Sequence, residues 1–249
     1  MIHNFFRITM KQTLGKRNTR GISTVLGTME FGRRATLEES TKMVEHFKSR
    51  DFKEIDTAAM YSGGQTEEFL GQMSEETWKT GENNKMNMAT KINAWQKNNF
   101  TAHMVNKQTD ECLARMQTDS CDIMYLHSPD HKTKLTETLK ACDKLYKAGK
   151  FRELGLSNYS SWQVAEVVNL CKSNKWVVPT VYQGMYSAIT REVEKELFPC
   201  LKFYGIRFYA YSPLGGGILT GKWKFENVEE KDAQPNTFCL RNDIKLVKM

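Results

Sequence analysis

FKEIDTAAMYSGGQTEEFLGQ (52–72) holds one full instance of the pattern that organises this chain. A short apolar run, FKEID, reads as a strand that ends on Asp56, a loop of small residues follows, and a helical run covers about 66–79. The unit then recurs. Lys91 ends MNMATK (86–91), and His127 ends CDIMYLH (121–127). Ser157 and Asn158 end LGLSN (154–158), Gln183 ends TVYQ (180–183), and Tyr211 ends RFYAY (207–211). Successive ends lie 35, 36, 30, 26 and 28 residues apart, which is the length of one βα unit of a parallel barrel. In such barrels the chemistry sits at the C-terminal ends of the strands, so the residues at these ends are candidates for a site.

The remaining elements fill in around that beat. TVLGTMEFG (24–32) reads as the first strand, and a helix starts near Thr36, with Glu38 and Glu39 suited to the dipole of its first turn. KTGENN (79–84) reads as a loop. Further helices are expected at about 101–117, 133–148, 160–173 and 191–204, with Gly149 and Gly205 as C-cap residues. The remaining strands are FRELGLS (151–157), VPTVYQG (178–184) and IRFYAYS (206–212). The expected fold class is α/β: an incomplete (β/α)8 TIM barrel with about seven parallel strands and the eighth βα unit missing. After GGGILTGK (215–222) the chain is polar, without a strand–helix pair. The expected division is a basic extension over 1–23, a barrel domain over 24–225 and a divergent polar tail over 226–249.

Composition excludes several classes. No run of 18 apolar residues exists and mean hydropathy is −0.57, so a membrane span is not expected. The net charge is +7, but Arg7, Lys11, Lys16, Arg17 and Arg20 lie in the first 23 residues, which contain no acid. Removing those five leaves +2 on the rest, so the charge is no nucleic-acid footprint. Six scattered cysteines with no CxxC pair read as free thiols in a reducing compartment, with no metal cluster. The expected location is cytoplasmic. The basic extension, in which Phe6, Met10 and Leu14 recur every fourth residue, offers a mitochondrial presequence as the alternative. A disordered extension, or residues upstream of a start at Met10 or Met29, would read the same way.

Asp56, Tyr61, Lys91 and His127 form the sharpest constellation. A phenol has a free pKa of roughly 10, too high for easy acid–base work at neutral pH. A neighbouring ammonium should lower it, and a carboxylate would hold that ammonium in place. An imidazole can donate to a carbonyl oxygen as charge develops there. Together the four could protonate an alkoxide as hydride arrives at carbon. Taken singly, each has a plainer reading as a turn residue or a satisfied buried group.

IDTAAMYSGGQTEEFLG (55–71), MATKINAW (88–95), YLHSPD (125–130), GKFRELGLSNYSSW (149–162), PTVYQGMYSAITREVEKELFPCL (179–201) and RFYAYSPLGGGILTGK (207–222) are the decisive motifs. They resemble the aldo-keto reductases, and within them the aflatoxin-aldehyde, or succinic-semialdehyde, reductase branch. The resemblance covers about 24–225. It implies a catalytic tetrad of Asp56, Tyr61, Lys91 and His127 with Tyr61 as general acid. It also implies NADPH as cofactor. Ser157, Asn158 and Gln183 match the positions that hold the nicotinamide carboxamide, and Tyr211 matches the aromatic on which the ring stacks. Ser212, Leu214, Gly216 and Gly217 match the loop around the pyrophosphate. Trp95, Met185 and Tyr186 are candidate walls of a substrate pocket. The implied activity is reduction of aldehydes, among them dialdehydes and semialdehydes, to alcohols. The implied partners are a small aldehyde and, since this branch commonly forms dimers, a second copy of the chain. Neither nucleic acid nor membrane is expected.

Two look-alike motifs are set aside. Gly216–Lys222 fits G-x-x-x-x-G-K, but Trp223 stands where a phosphate loop needs Ser or Thr. His127, Asp130 and His131 look metal-like, but a proline separates the first from the others. Beyond strand seven the likeness is expected to fail after Gln234 and Pro235, with Arg241 displaced from the place of an acid-binding arginine. A chain shortened in this way would lack the groups that grip the adenosine 2′-phosphate. Each lost charge pair would weaken binding by roughly 1.5–3 kcal/mol. Two other readings share the fold: an inactive shortened isoform, and a binding protein like the potassium-channel β-subunits.

Overall fold

The computed structural model describes residues 23–73, 77, 86–95 and 97–221. The expectations for the basic extension and the polar tail, and most of those for 74–85, fall outside these residues. The architecture is α/β. Seven strands alternate with helices, every recorded strand pair is parallel, and strand order follows chain order from β1 to β7. The chain divides into two compact units. The first runs through Leu154 and includes Lys175–Val177, and the second takes Gly155–Asn174 and the residues from Val178 onward.

In the first unit β1 (Leu26–Gly27), β2 (Glu54–Asp56), β3 (Asn87–Ile92) and β4 (Cys121–Leu126) pair in that order, with α1 (Leu37–Ser49), α2 (Gln65–Gln72), α3 (Ala102–Arg115) and α4 (Leu135–Lys147) in the connections. Thr36 and Glu39 cap α1 reciprocally: the Thr36 hydroxyl accepts from the Glu39 amide at 3.3 Å and the Glu39 carboxylate accepts from the Thr36 amide at 2.8 Å. All of β4 is buried, as expected for a parallel strand covered on both faces. Val44, Ile55, Leu70, Ile92, Val105 and Leu139 are fully buried and knit helices to strands. The first strand is far shorter than 24–32. Beyond Gly27 the chain turns on itself, with the Phe31 amide donating to the Thr28 carbonyl and three amides of residues 33–35 converging on the Glu30 carbonyl.

The second unit carries most of β5 (Phe151–Ser157), then α5 (Ser161–Asn174), β6 (Val181–Met185), α6 (Leu197–Tyr204) and β7 (Arg207–Tyr211). Val164, Val167, Val168, Cys171 and Val181 are fully buried within it. The helix expected over 191–204 is instead a 3-10 turn at Glu192–Glu194 followed by α6. Pro199 is the reason: its ring clashes with the carbonyl four residues back, at Lys195, so a continuous helix cannot pass that point. Pro199 falls in the first turn of α6, where its missing N–H costs nothing. Gly149 and Gly205 end α4 and α6 with φ of 74° and 71°, as expected of C-cap residues.

One close approach limits the first unit. A Cβ on Gly71 of α2 would lie 2.1 Å from the Arg115 carbonyl at the end of α3. Backbone oxygen cannot yield as a flexible side chain would. Gly71→Ala should therefore destabilise the protein by about 1–3 kcal/mol, read as a lower urea midpoint with an unchanged m-value.

Candidate active site

Hydrogen bonds that continue the ladder past the strand ends place the site. Beyond Asp56, the Thr57 amide donates to the Ala89 carbonyl at 2.8 Å, and the Ala59 amide donates to the Lys91 carbonyl at 3.0 Å. The loop after β2 is thus laid along β3 as far as Lys91. The His127 amide donates to the Ile92 carbonyl at 2.9 Å, which carries β4 along the same edge. Tyr61 opens the 3-10 turn that follows, its amide donating to the Ala58 carbonyl at 3.1 Å.

Three groups meet at the Lys91 ammonium, which has no solvent exposure. It donates to Asp56 Oδ2 at 2.6 Å, to the Thr57 carbonyl at 2.7 Å and to the Tyr61 hydroxyl oxygen at 3.5 Å. An ammonium has three protons, and here each has an acceptor. The Tyr61 and Tyr125 rings lie on its flanks, 5.1 and 5.6 Å from Nζ to their centroids, within cation–π range. His127 stands edge-on to Tyr61, with ring centroids 6.1 Å apart. Trp95 covers His127 at 4.7 Å.

Charge states follow from these surroundings. Burial works to strip the Lys91 proton, but Asp56 and Tyr61 outweigh it, and Lys91 sits above the usual lysine range. The sequence led us to expect a lowered Tyr61 phenol, and the net shift is the reverse. Burial pushes it up, Lys91 pulls it down, Asp56 pushes it up again, and the phenol ends above its ordinary value. The correction has a simple source, since a sequence shows the neighbouring ammonium but not how deeply the phenol is buried. Burial, helped by Lys91, drives His127 down to about 3, so its imidazole is neutral.

Two contributors had no sequence signal or a faint one. Thr57 acts through its carbonyl, which no residue identity encodes. Tyr125 is paired in register with Lys91, so aligning the two strand ends would have found it. Among the described residues no three His, Cys, Asp or Glu side chains converge to hold a metal ion. His131 is an exposed loop residue.

In the second unit Ser157, at the end of β5, is the register partner of Gln183, and both are buried; Gln183 does not end its strand as expected, since β6 pairs with β7 as far as Met185. The Asn158 amide donates to the Ser157 hydroxyl at 3.0 Å, and the Tyr211 hydroxyl donates to Asn158 Oδ1 at 2.9 Å. Asn158 has φ of 61° and Ser212 of 54°, left-handed values that turn the backbone sharply after β5 and β7. Leu214 is exposed, and Gly216 and Gly217 follow in left-handed conformation within a 3-10 turn at Gly215–Thr220. Met185 is half-buried and pairs in register with Tyr211. Tyr186 packs its ring on Phe198 and Phe208 and donates its hydroxyl to Glu194 at 2.7 Å.

The profile described as "Aldo/keto reductase family" matches residues 24–246. The chain is 51% identical over 210 residues to human "Aflatoxin B1 aldehyde reductase member 2", covering 84% of this chain and 58% of that protein. It is 49% identical over 216 residues to the rat protein of the same name, covering 86% and 58%. It is 49% identical over 209 residues to human "Aldo-keto reductase family 7 member A3", covering 84% and 62%. The chain therefore spans about three-fifths of the length of these relatives. The crystal structure of an aldo/keto reductase from Klebsiella pneumoniae in complex with NADP and acetate superposes with a TM-score of 0.67 at 26% identity, over 79% of this chain and 66% of that one.

The depressed His127 pKa fixes a direction for acid stability. Folding holds His127 neutral down to about 3, whereas the unfolded chain protonates it near 6.5. Its contribution is whole above about pH 6.5 and is lost as pH falls toward 3. At pH 5 the loss should be about 2 kcal/mol. Urea midpoints at pH 7 and pH 5 should therefore differ more for the wild type than for His127→Gln.

Proposed function

The chain belongs to the aldo/keto reductase family, and from that premise we propose that it reduces aldehydes, including dialdehydes and semialdehydes, to alcohols with NADPH. The observation that carries the reading is the buried Lys91 ammonium, shared between Asp56 and the Tyr61 oxygen. Tyr61 is the general acid. Lys91 has protons to give and no lone pair, so in their contact the Tyr61 oxygen accepts. The phenol's own proton is left for a carbonyl oxygen. The raised pKa keeps that proton in place until an alkoxide develops. As the proton leaves, the ammonium stabilises the phenolate, and Asp56 and the Thr57 carbonyl keep the ammonium from swinging away. His127, held neutral, can donate to the carbonyl without adding a second positive charge beside Lys91. Trp95, tilted against that imidazole, is the candidate pocket wall in this unit.

The second unit carries a donor and acceptor set that fits a nicotinamide carboxamide. An amide needs partners for both its N–H and C=O groups, and Ser157, Asn158 and Gln183 supply both kinds. Tyr211, fixed by its bond to Asn158, offers the flat face on which a ring can stack. The loop from Ser212 through Gly217, turned by residues of positive φ and bearing three consecutive glycines, lets a pyrophosphate approach the backbone closely. When bound, the dihydronicotinamide supplies the hydride. Tyr186 already commits its hydroxyl to Glu194 and its ring to packing, so its part in a pocket is limited to the ring edge.

Free cysteines at 112, 121, 142, 171 and 200 favour a reducing compartment such as the cytoplasm. Among the described residues no helix is long and apolar enough to cross a membrane. The proposed assembly is a homodimer, as the family branch implies.

Tyr61→Phe should lower aldehyde-dependent NADPH oxidation by at least about a hundredfold, while NADPH fluorescence is still quenched on mixing. Wild-type rates in that variant would refute the assignment. Tyr211→Ala should weaken NADPH binding by roughly tenfold through lost stacking, measured by the same quenching titration.

A further inference from the structure

Tyr61 and Lys91 sit on different elements, so something must set the 3.5 Å between them. Lys91 is fixed from its own side by Asp56 and Thr57. Tyr61 has less local support. It begins a turn whose next three residues, Ser62, Gly63 and Gly64, all have left-handed backbone, with φ of 50°, 67° and 101°. Such a segment has no ladder of its own, and it runs directly into α2.

Five side chains outside the tetrad tie this turn down, three of them in one cluster. Glu67, in the first turn of α2, is fully buried. It accepts a 2.5 Å hydrogen bond from Thr90, the residue immediately before Lys91 on β3. Side chains alternate along a strand, so Thr90 faces α2 while Lys91 faces the site. The other Glu67 oxygen accepts from Arg115 Nε at 2.8 Å and pairs with Nη2 at 2.7 Å. Arg115 in turn packs on the last residue of the turn: a Cβ at Gly64 would lie 3.2 Å from its Cδ. The front of the turn is tied to the first loop, where the Ser62 and Thr66 hydroxyls donate to the Phe31 carbonyl at 3.0 and 2.9 Å. Before the turn, the Ala59 amide ties the chain to the Lys91 carbonyl; after it, the Glu67 link ties α2 to the same strand.

We propose that Glu67, with Thr90 and Arg115, is a positioning group that holds the Tyr61 hydroxyl at the Lys91 ammonium. This rests on the reading of Tyr61 as the proton donor. A buried ion pair is a poor device for stability alone, since apolar residues of the same volume often serve equally well. It is a good device for register, because two guanidinium N–H groups on one carboxylate oxygen and a short hydroxyl bond on the other permit one arrangement and penalise the rest. The arrangement selected here places α2, and the turn leading into it, at one height on β3.

Thr90→Val keeps the shape and removes the donor to Glu67, and Thr90→Ser restores it. In the full chain Thr90→Val should lower kcat by roughly tenfold or more, with aldehyde KM and NADPH quenching unchanged, and Thr90→Ser should recover it. The 13Cζ resonance of Tyr61, identified by its loss in Tyr61→Phe, should move in Thr90→Val and return in Thr90→Ser. That signal needs neither turnover nor cofactor. If the wild type fails to turn over aldehyde, the function proposed above fails while the resonance still tests the clamp. Arg115→Lys, at a partly exposed position, takes the place of Thr90→Val if that variant does not fold, and should move the same resonance. A lower melting temperature with kcat and the Tyr61 resonance as in the wild type would make the cluster purely structural and overturn the proposal.

Discussion

A lysine ammonium with no access to water is the constraint that orders the first unit. Desolvating a charge costs several kcal/mol unless it is compensated. Compensation here takes a carboxylate, a backbone carbonyl and a phenol oxygen, one for each N–H. Those acceptors come from the end of β2 and the loop after it, so β2, β3 and that loop must stand in one register. The parallel ladder delivers it by running on past Asp56 to Ala59. The two tyrosine rings then seal the flanks of the charge with polarizable faces rather than with aliphatic side chains.

The same constraint divides labour among four residues that look interchangeable as titratable groups. Asp56 serves Lys91, and Lys91 serves Tyr61. Tyr61 keeps its own proton because burial raises its pKa more than the ammonium lowers it. His127 lies in the same field and responds oppositely, since for a base both burial and a neighbouring cation favour the neutral form. A protonated phenol and a neutral imidazole thus sit side by side, with a single buried cation between the phenol and the carboxylate. The second unit follows a different scheme. Its polar groups are neutral, linked as Ser157 to Asn158 to Tyr211.

Much of this was legible in the residue order. The strand ends at Asp56, Ser157 and Tyr211 fell where the apolar runs stopped, and those near Lys91 and His127 within one residue, because a parallel strand buried on both faces must be apolar until it emerges; β6 instead runs two residues past Gln183 to Met185. Helix starts followed capping chemistry, as at Thr36 and Glu39. The errors were local conflicts. Residues 191–204 carry a helical pattern that Pro199 interrupts sterically, and 24–32 carry an apolar run that the turn after Gly27 cuts short. The clamp of Glu67, Thr90 and Arg115 went unread because Glu67 lies in an acidic first turn, where a solvated role in the helix dipole explains it equally well.

The sequence by itself determined the βα rhythm, the family and which four groups to look for at Asp56, Tyr61, Lys91 and His127, since periodicity, capping and ordered motifs are properties of neighbouring residues. Only the tertiary structure decided how those groups are charged and which partners hold them. Burial depth, the carbonyl of Thr57, the ring of Tyr125 and the reach of Glu67 to Thr90 depend on atoms that are distant along the chain, and the sign of a pKa shift is set by the balance among them.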